Sequence, residues 1–116
     1  MIGLFVTLSV SACTTPSPEP TPTPTGFASE AEAFAAAEAT YRAYIDALNQ
    51  VDLSDPATFE PVYELTAGEL NASERENYSQ LHADGNTISG ESSYFNAQLL
   101  SIAGNIATIA VCLDVS

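Results

Sequence analysis

The chain has 116 residues, with 15 Asp and Glu against 2 Lys and Arg, and its formal net charge at pH 7 is −13. It lacks the clustered basic side chains that contacts with phosphate require, which argues against nucleic acid as a partner. The same charge opposes electrostatic binding to an anionic lipid surface, so a membrane attachment must be covalent or hydrophobic.

Residues 1–12 form an apolar run that ends in small residues directly before Cys13. The run is too short to span a bilayer. The sequence Val10-Ser11-Ala12-Cys13 resembles the bacterial lipobox. The resemblance implies that residues 1–12 are a signal peptide and that Cys13 carries diacylglycerol. Two acyl chains would hold the protein on the extracytoplasmic face of the cell membrane, with lipid as its membrane partner.

The positively charged n-region of a signal peptide is missing, because no basic residue precedes Arg42. We interpret this as a start codon assigned too late. The alternative is a chain that is not exported and has an apolar end.

Residues 13–25 carry five alternating prolines, from Pro16 to Pro24, and no large apolar side chain. Such a segment favours polyproline II, with a rise of about 3.1 Å per residue and a reach of roughly 35 Å. The sequence therefore predicts a tether over residues 13–25 and a small globular domain over residues 26–116.

The first helix is predicted from a capping box at Ser29-Glu30-Ala31-Glu32 to about Asn49. Glu38 and Arg42 have the i, i+4 spacing of an ion pair. At helical spacing one side of this helix carries Phe34, Ala37, Tyr41, Ile45 and Leu48.

A polar connection over Val51–Asp55 precedes Pro56, which opens a short helix ending near Gly68. A second capping box at Ser73 predicts a third helix that stops at Gly85. The side chains predicted to point inward from these two helices are Phe59, Val62, Tyr63, Leu65, Tyr78 and Leu81.

Three strands are then predicted, Thr87–Glu91, Tyr94–Ile102 and Ile106–Val115, with Gly104-Asn105 as a tight turn between the last two. One face of the final strand carries Ala107, Ile109, Val111, Leu113 and Val115. Cys112, on the other face, is expected to act as a small buried hydrophobe. Three helices followed by a meander indicate an α+β domain with a curved antiparallel sheet around the first helix.

Four segments, 39–44, 54–63, 78–82 and 111–116, resemble lipoproteins of high-GC Gram-positive bacteria that have a nuclear transport factor 2-like domain. The resemblance implies a cone-like fold with a pocket between sheet and helices. That family has further strands after the point where this chain stops, so we expect a domain that is incomplete at the C-terminus. The alternative is that three strands suffice, in a dimer.

Relatives of this fold include enzymes that transfer protons. The resemblance therefore makes Tyr41 and His82 the candidate catalytic residues. A lone imidazole is a nonspecific signal, and the tyrosines fit a core as well as a ligand cavity. Asp46, Asp52 and Asp55 lack the glycine and the closing glutamate of a calcium loop, and Asp55 fits a helix cap. The sequence therefore predicts no metal site and no cofactor.

Three hypotheses follow from the sequence. The first is a lipoprotein without enzymatic activity whose cone binds a small apolar ligand or an envelope partner. The second is a proton-transfer enzyme of isomerase or dehydratase type with the same fold. The third is a truncated product without function.

Overall fold

The computed structural model describes residues 26–115, and these form three helices followed by a β-hairpin. The lipobox-like segment, Cys13, the Pro/Thr tether and Ser116 lie outside the described residues. The elements are α1 (Glu30–Asn49), a 3-10 turn (Pro56–Phe59), α2 (Glu60–Glu64), α3 (Gly68–Ala83), β1 (Ser92–Ala103) and β2 (Ile106–Val115). The predicted α+β class is confirmed, with a sheet of two antiparallel strands in the described part.

Helix α1 forms where the sequence predicts it. The Ser29 hydroxyl oxygen accepts a hydrogen bond from the Glu32 amide at 3.1 Å, which satisfies one of the free donors of the first turn. Glu38 and Arg42 pair at 3.2 Å, as predicted. The predicted inward side is confirmed by Ile45, which is buried, and by four half-buried residues, Phe34, Ala37, Tyr41 and Leu48.

The buried core lies between the 3-10 turn, α2 and α3. It contains Leu53, Phe59 and Tyr63, with Val51, Tyr78 and Leu81 packed against it. Leu53 is 3% exposed, so the segment predicted as a polar connection contributes a core residue. Asp55 caps the 3-10 turn, since its carboxylate accepts from the Ala57 amide at 3.1 Å.

Helix α3 begins at Gly68, and the prediction of a start at Ser73 is wrong. The Asn71 side-chain amide donates to the carbonyl oxygen of Tyr63 at 2.9 Å and to the hydroxyl of Thr66 at 3.1 Å. These bonds satisfy groups at the end of α2 and join it to the first turn of α3. Ser73 therefore lies inside the helix, where its hydroxyl accepts from Asn77 at 3.4 Å.

The predicted strand over Thr87–Glu91 is wrong, because these residues are exposed and form no strand. Ile88 is the only large apolar side chain in the segment, so pairing it with the sheet would bury little apolar area. Gly90 has a φ of +85°, which also departs from strand geometry. The sheet consequently begins at Ser92.

The hairpin turn is confirmed at Gly104-Asn105, where Gly104 has a φ of +62°. Strand β1 is irregular, with register shifts after Phe95 and after Leu99. Asn96 has a φ of +54°, and an irregularity of this kind bends and twists the strand locally.

Helix α1 lies along one face of the hairpin and is held at both ends. The Asn49 side chain donates to the Ser92 carbonyl oxygen at 2.8 Å and accepts from the Ser92 amide at 2.7 Å. At the other end, a Cβ on Gly26 would lie 2.7 Å from the Gly104 carbonyl oxygen. The segment before α1 therefore passes directly against the hairpin turn.

The hairpin is only partly covered. Ala107, Ile109 and Val111 are half-buried, as predicted for that face, but Leu113 and Val115 are 49% and 69% exposed. The other exposed large apolar residues of the strands are Phe95, Leu100, Ile102 and Ile106. Among the described residues only α1 packs on this sheet to any extent, and it covers one face, so the other face stays open.

Cys112 is exposed, so the prediction that it is buried is wrong. It lies on the uncovered face of β2 and has no disulfide partner within residues 26–115. None of the helices in this part of the chain is long and apolar enough to cross a membrane.

Candidate ligand-binding cleft

A cleft of about 540 Å³ lies between α1, the connection from α2 to α3, and the turn end of the hairpin. This volume is within the range of small-molecule sites, and most of the lining is apolar, as in such sites. The apolar side chains that line the cleft are Phe27, Ala36, Ala37, Tyr41, Leu65, Leu70, Ile106, Ala107 and Ile109.

Small side chains on α1 leave the space open. Ala36 and Ala37 line the cleft and reach little beyond the helix backbone, whereas Thr40, one turn on, adds a hydroxyl. Leu70 of α3 and Ile106 of β2 also line the cleft and are 52% and 63% exposed, although large aliphatic side chains are usually buried. The cleft therefore presents contiguous apolar surface to solvent, which in soluble proteins often marks a binding site.

A buried carboxylate adjoins the cleft. The Tyr44 hydroxyl, on a cleft-lining residue, donates to Glu74 Oε1 at 2.5 Å. Glu74 lies on α3, is 8% exposed, and its Oε2 has no hydrogen-bond partner in the described part of the chain. A buried carboxylate oxygen without a partner is unusual, because desolvation of a charged group is unfavourable unless it is compensated.

Glu74 was not predicted to be a site residue. It follows Ser73 in the predicted capping box, a position that would place its side chain at an exposed helix end. The signal that could have found it is spacing, because Leu70, Glu74 and Tyr78 follow one another at i, i+4 on α3. A carboxylate between two large side chains of one helical face is a candidate for burial.

The tyrosines around Glu74 resist ionisation. Burial raises the pKa of Tyr44 far above its usual value, and the hydrogen bond to Glu74 and the charge of its carboxylate raise it further. Burial, followed by the charge of Glu74, raises the pKa of Tyr78. Burial also raises the pKa of Tyr63 against the opposing effect of Arg75, whose guanidinium carbon lies 4.2 Å from the centre of the Tyr63 ring.

The two predicted catalytic candidates lie in different places. Tyr41 lines the cleft, and its ring centre is 6.0 Å from that of Tyr44 and 5.1 Å from that of Tyr94. His82 is exposed and lines a separate depression beside Phe59, where its Nδ1 lies 2.6 Å from the Leu53 carbonyl oxygen. The structure therefore does not bring Tyr41 and His82 together.

The aspartates weighed for calcium have local roles. Asp52 Oδ1 accepts from the Ser54 hydroxyl at 2.6 Å and from the Ser54 amide at 2.9 Å, and these bonds lower the pKa of Asp52. Asp55 caps the 3-10 turn. Residues 26–115 contain no group of three or more His, Cys, Asp or Glu side chains that could hold a metal ion.

Alkaline pH is expected to destabilise the fold through these tyrosines. The pKa values of Tyr44, Tyr63 and Tyr78 are raised above 10, so the unfolded chain releases their protons at a lower pH than the folded chain does. Their stabilising contribution is present below about pH 10 and is lost as the pH rises toward the folded-state pKa values. Urea unfolding between about pH 8 and about pH 11 measures this loss.

The matched variant for this prediction is Tyr44→Phe, which removes one of the three hydroxyls. In this variant the free energy of unfolding should fall less steeply with rising pH, by less than about 1.4 kcal/mol per pH unit. That value is the limit for one proton, and Tyr44 is only half-buried. An unchanged pH dependence in the variant would contradict the role assigned to Tyr44.

No family model matches the chain, and neither the curated proteins nor the solved structures gave a significant match. Function must therefore be inferred from the cleft and from the sequence.

Proposed function

We propose that the chain is a lipid-anchored lipoprotein on the extracytoplasmic face of the cell membrane, and that its domain binds a small apolar ligand in the cleft beside α1. The observation that supports ligand binding is the open, mainly apolar volume of about 540 Å³ between α1 and the hairpin turn. A bound ligand would cover the exposed parts of Leu70 and Ile106 and release water from apolar surface.

The proposal includes a cone-like domain of the nuclear transport factor 2-like kind. Two features support it: the 20-residue helix α1 lies along the sheet, and the cleft lies between sheet and helices, where that fold would have its pocket. The exposed apolar side chains of β1 and β2 support further strands in the sheet of such a domain, since more strands and helices would cover them.

The lipid anchor is the part of the proposal that rests on sequence. Cys13 follows an apolar run and two small residues, and a proline-rich tether separates it from the described domain. A tether with a reach of roughly 35 Å would hold the cleft away from the headgroups, where a ligand can enter from the aqueous side.

Metabolic labelling with palmitate tests the anchor. The full gene product, expressed in a Gram-positive host, should incorporate label, and Cys13→Ser should abolish it. Cys112→Ser is the matched control, because Cys112 is a free and exposed thiol in the described domain. Labelling that survives Cys13→Ser would rule out the anchor, and loss in Cys112→Ser alone would place the lipid elsewhere.

Ligand binding is tested with a neutral apolar probe, 2-naphthylmethanol, added to the full chain carrying Cys13→Ser. A bicyclic ring fits the cleft volume, and a ligand of this size should bind at one saturable site with a Kd on the order of 0.1–1 mM. Isothermal titration calorimetry measures the affinity and the stoichiometry. Absence of saturable binding would contradict the ligand-binding function.

A further inference from the structure

Three of the four hydroxyl groups on the cleft-lining residues offer acceptors to a ligand, because each of the three donates its hydrogen to the protein. Thr40 donates to the Ala36 carbonyl oxygen at 3.0 Å and Thr66 to the Val62 carbonyl oxygen at 3.2 Å. Tyr44 donates to Glu74 Oε1. A hydroxyl has one hydrogen and two lone pairs, so Thr40 and Tyr44 retain acceptor capacity. Thr66 Oγ1 already accepts from the Asn71 side-chain amide at 3.1 Å and keeps one lone pair.

Among residues 26–115, no positive side chain lines the cleft to balance these acceptors. Both basic residues of the chain have other contacts: Arg42 pairs with Glu38, and Arg75 lies over the Tyr63 ring and donates to Asn71. The carboxylate of Glu74 lies one hydrogen bond behind Tyr44, and its Oε2 lacks a partner within residues 26–115.

The electrostatic environment of the cleft therefore favours positive charge. A carboxylate removed from water interacts more strongly with a nearby charge than a solvated one does, because the surroundings screen it less. The ring faces of Tyr41 and Tyr44 also attract cations. A ligand carboxylate would instead find no positive side chain among the described lining residues and would be repelled by the negative charge of Glu74.

We propose that the cleft selects apolar organic cations, namely ligands with an apolar body and a protonated amine that donates hydrogen bonds to the Thr40, Thr66 and Tyr44 oxygens. This inference rests on the proposed ligand-binding function and names the ligand class for the same site. The apolar body would lie against Phe27, Leu70 and Ile106, and the ammonium group would lie at the end of the cleft nearest Glu74.

Three probes with the same ring system test the selection in the full chain carrying Cys13→Ser: 2-naphthylmethylamine, 2-naphthylmethanol and 2-naphthoate. At neutral pH the first is a cation, the second is neutral and the third is an anion. The amine should bind about fivefold more tightly than the alcohol and at least about tenfold more tightly than the carboxylate. Isothermal titration calorimetry gives the three affinities.

Glu74→Gln should remove most of the preference for the amine over the alcohol. Glu76→Gln is the matched control, because Glu76 is exposed on the same helix and the substitution changes the net charge equally. The control should keep the amine preference of the parent chain. Circular dichroism establishes that each variant is folded.

If Glu74→Gln does not fold, Tyr44→Phe serves as the test variant. It removes the Tyr44 hydroxyl, which is both an acceptor oxygen and the donor of the hydrogen bond to Glu74, and it keeps the aromatic ring. It should weaken amine binding by about threefold or more and leave the naphthoate affinity unchanged or improved.

The outcomes separate this inference from the function on which it rests. Equal affinity for the three probes would overturn charge selection and leave ligand binding intact, whereas absence of binding by all three would overturn the proposed function itself. Equal loss of preference in Glu74→Gln and Glu76→Gln would assign selection to net charge and overturn the role of Glu74. Tighter binding of the carboxylate would reverse the inference.

Discussion

Phe59→Ala is expected to lower the free energy of unfolding by about 3–5 kcal/mol. Phe59 is 3% exposed, and its ring stacks on that of Tyr78 with centres 5.1 Å apart and planes 21° apart. It also contacts the rings of Tyr63 and His82, each with a centre 6.4 Å away. Truncation to alanine would leave a cavity among rings that cannot collapse into it without losing their mutual contacts.

Such a loss is a large part of the stability of a small domain, which is typically about 5–15 kcal/mol in total. Urea unfolding followed by circular dichroism measures it. Phe95→Ala is the control, because Phe95 is 54% exposed on β1 and its truncation should cost less than about 1 kcal/mol. Similar losses in the two variants would contradict the assignment of the core to the region around Phe59.

Ala37→Phe should reduce the affinity for 2-naphthylmethanol by about tenfold or more, because a phenyl ring would occupy the space in which the probe is proposed to bind. Ala37 is half-buried on the side of α1 that lines the cleft. The added ring should change the free energy of unfolding by less than about 1 kcal/mol, since it enters an open cleft and not a packed core.

Ala39→Phe is the matched control for this experiment. Ala39 is exposed on α1, is not among the cleft-lining residues, and receives the same added ring. It should bind the probe as the parent chain does. If Ala37→Phe bound the probe with parental affinity while remaining folded, the probe would have to bind elsewhere, and the cleft would not be the site.

The Phe59→Ala and Ala37→Phe experiments test the core and the cleft, and α3 contacts both. One side of α3 supplies Tyr78 and Leu81 to the core around Phe59, and Glu74, one turn before Tyr78, contacts Tyr44 of α1. The core therefore helps to position the carboxylate that we assign to ligand selection. A partial loss of probe selectivity in a folded Phe59 variant would be consistent with this coupling.

Local interactions explain why much of the helical part was predictable from the sequence. The capping bond of Ser29, the pairing of Glu38 with Arg42 and the turn at Gly104-Asn105 each depend on residues within a few positions of one another. Short-range geometry of this kind is set by residue type and spacing, whatever packs against it. The inward positions of Ile45 and Phe59 followed from helical spacing in the same way.

Other features depended on contacts between residues distant in the chain. The first turn of α3 contains Asn71, which bonds to the end of α2, and Thr87–Glu91 lies outside the two-stranded sheet of the described residues. Cys112 is exposed because α1 covers only one face of the hairpin and Cys112 lies on the other. None of these outcomes can be read from the local pattern, because each depends on which neighbour is present.

The acidic composition and the lipobox-like segment could be read directly from the order of residues, and they support the proposed location and the argument against nucleic acid. The cleft and the burial of Glu74 were decided by the tertiary structure. A carboxylate at i, i+4 from Leu70 and Tyr78 is compatible with an exposed helix face until another helix covers it. Here Tyr44 of α1 lies 30 positions away in sequence, and its hydroxyl reaches Glu74 only once the tertiary fold has brought these two residues together.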